Sequence, residues 1–271
     1  VTPIPPPEPL PGEALDSHCH LDLIDQPLAE VLADARTAGI TRVVTIGVDL
    51  ATSRWAADCA AAHRDVYAAV AVHPNETARA AASPGGRDEV LAEIAALAAL
   101  PQVRAIGETG LDYYRDSAPP EVQRDWFRAH IDIAKRAGKT LVIHDREAHE
   151  DVLRILDADG PPEHVIFHCF SGDAAMAKRC AEAGYLMSFA GNVTFSSAQP
   201  LRDAAAAAPL ELILVETDAP FLTPVPHRGK PNAPAQVAYT LRAVAEVKQV
   251  GVAELCSAVT AAGERAFGPW D

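Results

Sequence analysis

From residue 14 onward, short runs rich in Val, Ile and Leu alternate with Ala-rich stretches of helical period, and the alternation repeats eight times. The runs fall at 14–21, 42–48, 66–73, 103–108, 140–145, 164–169, 185–190 and 212–217. They are apolar at most positions and brief, which marks strands buried on both faces. Helical stretches lie between them, for example at 27–38, 51–62, 87–99, 119–137 and 173–183, and several stop at a glycine (Gly39, Gly138, Gly184). Strand-helix-strand repetition implies parallel pairing, and eight such units close into an α/β fold, the (β/α)8 TIM barrel. The competing doubly wound sheet lacks its signature here, a glycine-rich phosphate loop after the first strand. Beyond the eighth strand come a Pro-rich loop (219–234), a helix near 235–249 and an extra C-terminal helix near 252–266. The expected organisation is one barrel domain over 14–271, preceded by a disordered, Pro-rich arm at 1–13.

A length of 271 residues is that of one such barrel. No apolar stretch approaches the roughly 18 residues that cross a bilayer, so a soluble protein is expected. The opening residues have neither the basic region nor the apolar core of a secretory signal. Five cysteines without CxxC spacing fit reduced thiols and a cytoplasmic location. A net charge of −14 opposes passive attraction to polyanions, so a phosphate-bearing substrate would need metal ions or a local basic patch.

Chemistry enters through the position of the polar residues. His18 and His20 end the first strand, Glu108 the fourth, His144 the fifth, His168 the sixth and Asp218 the eighth. The carboxyl ends of barrel strands are where active sites of this fold are built. His18 and His20 flank Cys19, and period-two geometry sends both imidazoles to one side. A single strand histidine is usually structural; a pair coinciding with two further histidines and two carboxylates is not. Burying such a set is unfavourable by several kcal/mol or more without compensation, which divalent cations supply. Six candidate ligands exceed the three protein ligands of one catalytic zinc and favour a binuclear site.

The motifs DSHCHLD (16–22), VHP (72–74), GETGLDYYR (107–115), VIHDRE (142–147), FHCFSG (167–172) and ETDAPFL (216–222) follow one another in order. On these the chain resembles the TatD-type metal-dependent deoxyribonucleases of the amidohydrolase-like barrels, over essentially everything after residue 14. The resemblance implies one metal on His18, His20, Glu108 and Asp218, with Glu108 bridging to a second on His144 and His168. Glu108 then occupies the place where several related barrels use a carbamylated lysine; no lysine ends the fourth strand here. Two divalent ions are implied, Mg or Mn in activity, with Zn, Fe or Ni possible as bound species. They would activate water for phosphodiester hydrolysis, with DNA, single-stranded or at 3′ ends, as substrate of a 3′–5′ exonuclease. Asp218 is the candidate for orienting that water and accepting its proton, with Glu108 as the second catalytic carboxylate. The alternative is an amide, ester or lactone hydrolase of the amidohydrolase kind, including aminoacyl-tRNA deacylase-like activity.

His73, which closes the third strand, is assigned to substrate phosphate. Arg146 can fork onto a phosphate, and the Pro-rich loop gathers His227, Arg228 and Lys230 where a polyanion needs positive charge. Asp145 and Glu147 read as surface or supporting groups, His63, His130 and His164 as ordinary helix or strand-start residues, and His149 carries no assignment. Two departures from the family pattern bear on substrate grip and loop order. Residues 231–234 read PNAP where RNEP is usual, and Gly263 stands where Asn is usual. A monomer without an obligate protein partner and without membrane attachment is expected.

Overall fold

The computed structural model describes residues 4–115 and 117–269. Eight strands appear: β1 (Ala14–Cys19), β2 (Ile40–Ile46), β3 (Val66–Val70), β4 (Val103–Asp112), β5 (Thr140–Arg146), β6 (Val165–Phe167), β7 (Leu186–Phe189) and β8 (Ile213–Val215). Among the described residues ten α-helices separate or follow them: α1 (Leu28–Thr37), α2 (Leu50–Ala62), α3 (Thr77–Ala81), α4 (Gly86–Ala98), α5 (Pro120–Ala137), α6 (His149–Asp159), α7 (Ala174–Glu182), α8 (Gln199–Ala207), α9 (Val237–Lys248) and α10 (Val252–Phe267). The strands are ordered β1 to β8 as in the sequence, the order of a (β/α)8 barrel, and α10 is the extra C-terminal helix. Among the described residues no helix is long and apolar enough to cross a membrane.

The chain divides into two compact units, Thr45–His168 and the described residues of Val1–Val44 with Cys169–Asp271. In Thr45–His168, strands β3 to β6 pair in parallel and consist almost wholly of buried residues. The pattern dictates this: Val, Ile and Ala on both faces leave no face for water. Helix α2 begins at a capping box, in which the Asp49 carboxylate accepts from the Thr52 amide and the Thr52 hydroxyl accepts from the Asp49 amide. Helix α5 turns one apolar side inward with Trp126, Phe127, Ile131 and Ala134 and stops at Gly138, which is left-handed at φ 62°. Strand β4 runs to Asp112, beyond the expected end at Glu108. The β4–β5 register shifts between Ile106 and Thr109, and the bulge lets pairing resume with Gly110 opposite His144 and Asp112 opposite Arg146.

In the other unit β7 and β8 pair in parallel, and a bridge between Cys19 and Ala219 ties β1 to the segment after β8. Helix α10 packs on β1, where a Cβ at Gly263 would lie 2.7 Å from a Leu15 methyl. The departure from Asn at this position is thus a packing feature. Strands β6 and β8 are shorter than expected because Cys169 (φ 39°) and Asp218 (φ 53°) take left-handed backbone, which ends a ladder. His168 and Asp218 stand past the ends of β6 and β8, His20 just past β1, and His73 three residues past β3.

Of the expected Pro-rich arm, residues 1–3 lie outside the described residues, and Glu8, Pro9 and Leu10 make contacts with the barrel helices. Leu10 is buried and its amide donates to the Ala38 carbonyl at 3.0 Å. The Arg242 guanidinium donates to the carbonyls of Glu8 (2.7 Å) and Pro9 (3.2 Å). Prolines that cannot enter a ladder still leave carbonyls and apolar rings to dock.

Candidate metal centre

In Thr45–His168, three imidazoles gather around one buried carboxylate. The bulge in β4 presents Glu108, whose Oε1 lies 2.7 Å from His144 Nδ1, 2.8 Å from His168 Nε2 and 3.4 Å from His73 Nε2. Burial is the largest single influence on Glu108 and acts to raise its pKa. The imidazoles of His168, His73 and His144 outweigh it and hold the carboxyl well below the usual range, so it stays ionised. His144 reaches a second carboxylate with its other nitrogen: Nε2 lies 3.1 Å from Asp112 Oδ2. Burial, again the largest influence, lowers the His144 pKa, but Asp112 and Glu108 together raise it. Asp112 is itself fixed at the end of β4. Its amide donates to Gln123 Oε1 (2.8 Å), its Oδ1 accepts from the amides of Tyr114 (3.1 Å) and Arg115 (2.9 Å), and its Oδ2 accepts from Asn75 Nδ2 (3.0 Å).

The sequence assigns His73 to substrate phosphate; the structure places it against Glu108 and His144, the three offering donor atoms within 4.8 Å of one another. Its Nδ1 accepts from the Asn75 amide at 3.0 Å, so the neutral ring carries its proton on Nε2. Burial lowers its pKa despite the Glu108 charge. The guanidinium carbon of Arg146 lies over the Tyr114 ring, 3.9 Å from its centre, and that of Arg228 over Phe195 at 4.2 Å. Neither guanidinium forms an ion pair among the described residues. His227 in the same loop as Arg228 is held by Tyr239 Oη at 3.2 Å. His149, unassigned from sequence, pairs with the buried Asp145 at 2.7 Å.

In the other unit His18, His20 and Asp218 form a second set. Cys19 points away from the two imidazoles, its thiol toward the Val44 carbonyl. His18 Nε2 lies 3.7 Å and His20 Nε2 3.5 Å from Asp218 Oδ1. Asp16, which sequence reasoning passed over, brings them together. This buried carboxylate accepts from the Thr217 amide (2.9 Å), the Thr217 hydroxyl (2.5 Å) and the His18 amide (3.3 Å). The Asp218 amide then donates to the His18 carbonyl at 2.9 Å. Burial pushes the Asp16 carboxyl up to about 8 in spite of these donors. The loop after β8 is latched by Asn232, whose Nδ2 donates to the carbonyls of Thr217 (3.0 Å) and Phe221 (2.6 Å). Phe221 is 53% exposed and stands edge-on to His20, 6.2 Å between ring centres. The absence of the usual basic residue and glutamate at 231 and 233 leaves this asparagine latch intact.

Both sets suit a divalent cation. Two metal bonds of about 2.1 Å at a tetrahedral angle separate ligand atoms by about 3.4 Å. The imidazole–carboxylate spacings of 3.5 and 3.7 Å around Asp218, and the 3.5 Å between His144 Nδ1 and His168 Nε2, match that figure. Imidazole nitrogen with carboxylate oxygen is a donor set for Zn, Mn, Fe or Ni.

Comparison with known proteins agrees with this chemistry. Residues 15–268 match the family described as TatD related DNase. The chain is 46% identical over 263 residues to an uncharacterized metal-dependent hydrolase TatD of Mycobacterium tuberculosis, covering 94% of this chain and 97% of that one. It is 38% identical over 256 residues to an uncharacterized metal-dependent hydrolase YabD of Bacillus subtilis, covering 93% and 98%. Among solved structures, YjjV, a TatD homologue from Escherichia coli, superposes with a TM-score of 0.87 at 26% identity, covering 94% of this chain and 98% of that one. A whole-chain match in sequence and fold, on a chain that keeps His, Glu and Asp clusters able to hold metal, leads to one conclusion: the chain belongs to the TatD-related DNase family and is a metal-dependent hydrolase.

Proposed function

We propose that this hydrolase cleaves phosphodiester bonds of DNA, as a 3′–5′ exodeoxyribonuclease with two divalent ions. The observation that carries the reading is the ionised, buried Glu108 with His144 Nδ1 and His168 Nε2 aimed at one oxygen. By family likeness His18, His20, Glu108 and Asp218 would hold one ion, and Glu108, His144 and His168 the second. Such ions, when bound, lower the pKa of a water and neutralise charge developing on a phosphoryl group. The protein's own groups do the rest. Asp218 orients the attacking water and takes its proton. His73, neutral with its proton on Nε2, donates a hydrogen bond to a phosphate oxygen. Arg146 and Arg228, seated over aromatic rings and without a carboxylate partner among the described residues, fork onto further phosphates. The exposed ring of Phe221 beside His20 supports a nucleic-acid substrate, since bases stack on such rings without regard to sequence. Five cysteines with no disulfide among the described residues fit a cytoplasmic setting.

The test is a substrate panel of single-stranded DNA, bis-nitrophenyl phosphate and simple carboxylic esters, with Mg or Mn added after chelation. Phosphodiester turnover that chelator removes and Glu108→Ala abolishes, with the fold intact by circular dichroism, is expected. Turnover confined to carboxylic esters would replace this reading with the amidohydrolase alternative.

A further inference from the structure

We propose that Asp112, supported by Asn75, is a positioning residue that fixes the ring of His144 so that Nδ1 is its metal-binding atom. This rests on the reading of His144 as a ligand. An imidazole offers two nitrogens, and only one without a proton can bind a cation. At His144 the two face different carboxylates. Nδ1 points to Glu108 Oε1 at 2.7 Å and lies 3.5 Å from His168 Nε2, among the other donors. Nε2 points to Asp112 Oδ2 at 3.1 Å. Only Nδ1 faces the other donors, so a cation seated there displaces any proton from Nδ1 to solvent, and Asp112, an acceptor outside that cluster, takes the one N–H the ring then keeps, on Nε2.

The support behind Asp112 is complete. Its side chain is 99% buried (1% exposed), and each oxygen has its own duty. Oδ1 accepts from the amides of Tyr114 and Arg115; Oδ2 accepts from Asn75 Nδ2 as well as facing His144. Every neighbour of the carboxylate is thus a donor. This makes Asp112→Asn diagnostic. An amide in place of the carboxylate has one acceptor and one donor end, and either orientation sets N–H against N–H. With Nδ2 toward His144, Nε2 must accept, the ring proton moves to Nδ1, and the metal-binding atom is blocked. A residue that only capped the turn at Tyr114 would tolerate this isosteric change.

The experiment titrates the metal-stripped full chain with Zn2+ against a chromophoric chelator, for wild type, Asp112→Asn, Asp112→Ala and His144→Ala. The expected result is that His144→Ala loses one of two zinc ions, and that both Asp112 variants bind that ion about 10- to 100-fold more weakly while the other is unchanged. Wild-type affinity for both ions in Asp112→Asn would overturn the proposal while leaving the metal centre standing. Undiminished binding in His144→Ala would overturn the metal reading and this proposal together. A measurement on the wild type alone guards against a misfolded variant. Nitrogen–proton correlation spectra of the zinc-loaded protein should show His144 protonated on Nε2, and protonation on Nδ1 with zinc on Nε2 would refute the assignment.

Discussion

His130 is held neutral far into acid. It is fully buried in α5, where Nε2 accepts from the Val72 amide at 3.3 Å and Nδ1 lies 2.8 Å from the Thr109 hydroxyl. Burial, aided by the Arg87 charge, lowers its pKa from 6.5 to about 3. The unfolded chain takes up this proton below about 6.5 and the native state does not. Stability from this group is therefore full above that pH and falls by up to about 1.4 kcal/mol per unit as pH drops toward 3. Urea unfolding at pH 6.5 and 5.5 should show the wild type losing about 1 kcal/mol more than His130→Gln over that interval. Equal losses would show that His130 does not set the slope. Its role as an ordinary helix residue was legible in the sequence, since it stands alone among apolar helix positions. Asp112 and Asp16 were not, although both lie inside quoted motifs. An aspartate's partners, 37 positions away for Asn75 and 201 for Thr217, leave no local trace in composition or period.

Strand β4 is the element on which the site turns. Gly110 follows the bulge at φ 128°, and a Cβ there would lie 2.1 Å from the His144 carbonyl oxygen in the paired strand. Backbone strain and backbone clash act together, so Gly110→Ala should destabilise by about 3 kcal/mol or more. Gly138 provides the control, with φ 62° and nothing within 4 Å of its added Cβ. Gly138→Ala should cost only the left-handed backbone, about 1 kcal/mol. Chemical denaturation of the two variants checks the difference; similar losses would mean the β4–β5 contact yields easily. The sequence marked the start of this strand and its glutamate. It could not mark the bulge, because two glycines flanking Glu108 and Thr109 state only that the backbone is free to bend, and the partner strand decides where.

For the whole molecule, metal and stability are linked. Ions that bind the native ligand sets and not the unfolded chain stabilise by about 2.7 kcal/mol per site at one hundred times the dissociation constant. The melting temperature should rise with added Mn2+ or Zn2+ and fall on chelation, with the rise smaller in His144→Ala. A melting temperature indifferent to metal would contradict native binding at these sets. What the sequence alone determined is the barrel and the identity of six candidate ligands. Strand and helix periods are local, and the fold's rule that chemistry stands at strand carboxyl ends turns a position in a run into a position at the site. What only the tertiary structure decided is which atom of each residue faces which partner: Nδ1 of His144 toward Glu108, Nε2 of His73 carrying its proton, Arg228 laid on Phe195, the N-terminal segment docked on Ala38 and Arg242. Those choices depend on groups far apart in the chain arriving within hydrogen-bond reach, and no residue pattern carries that distance.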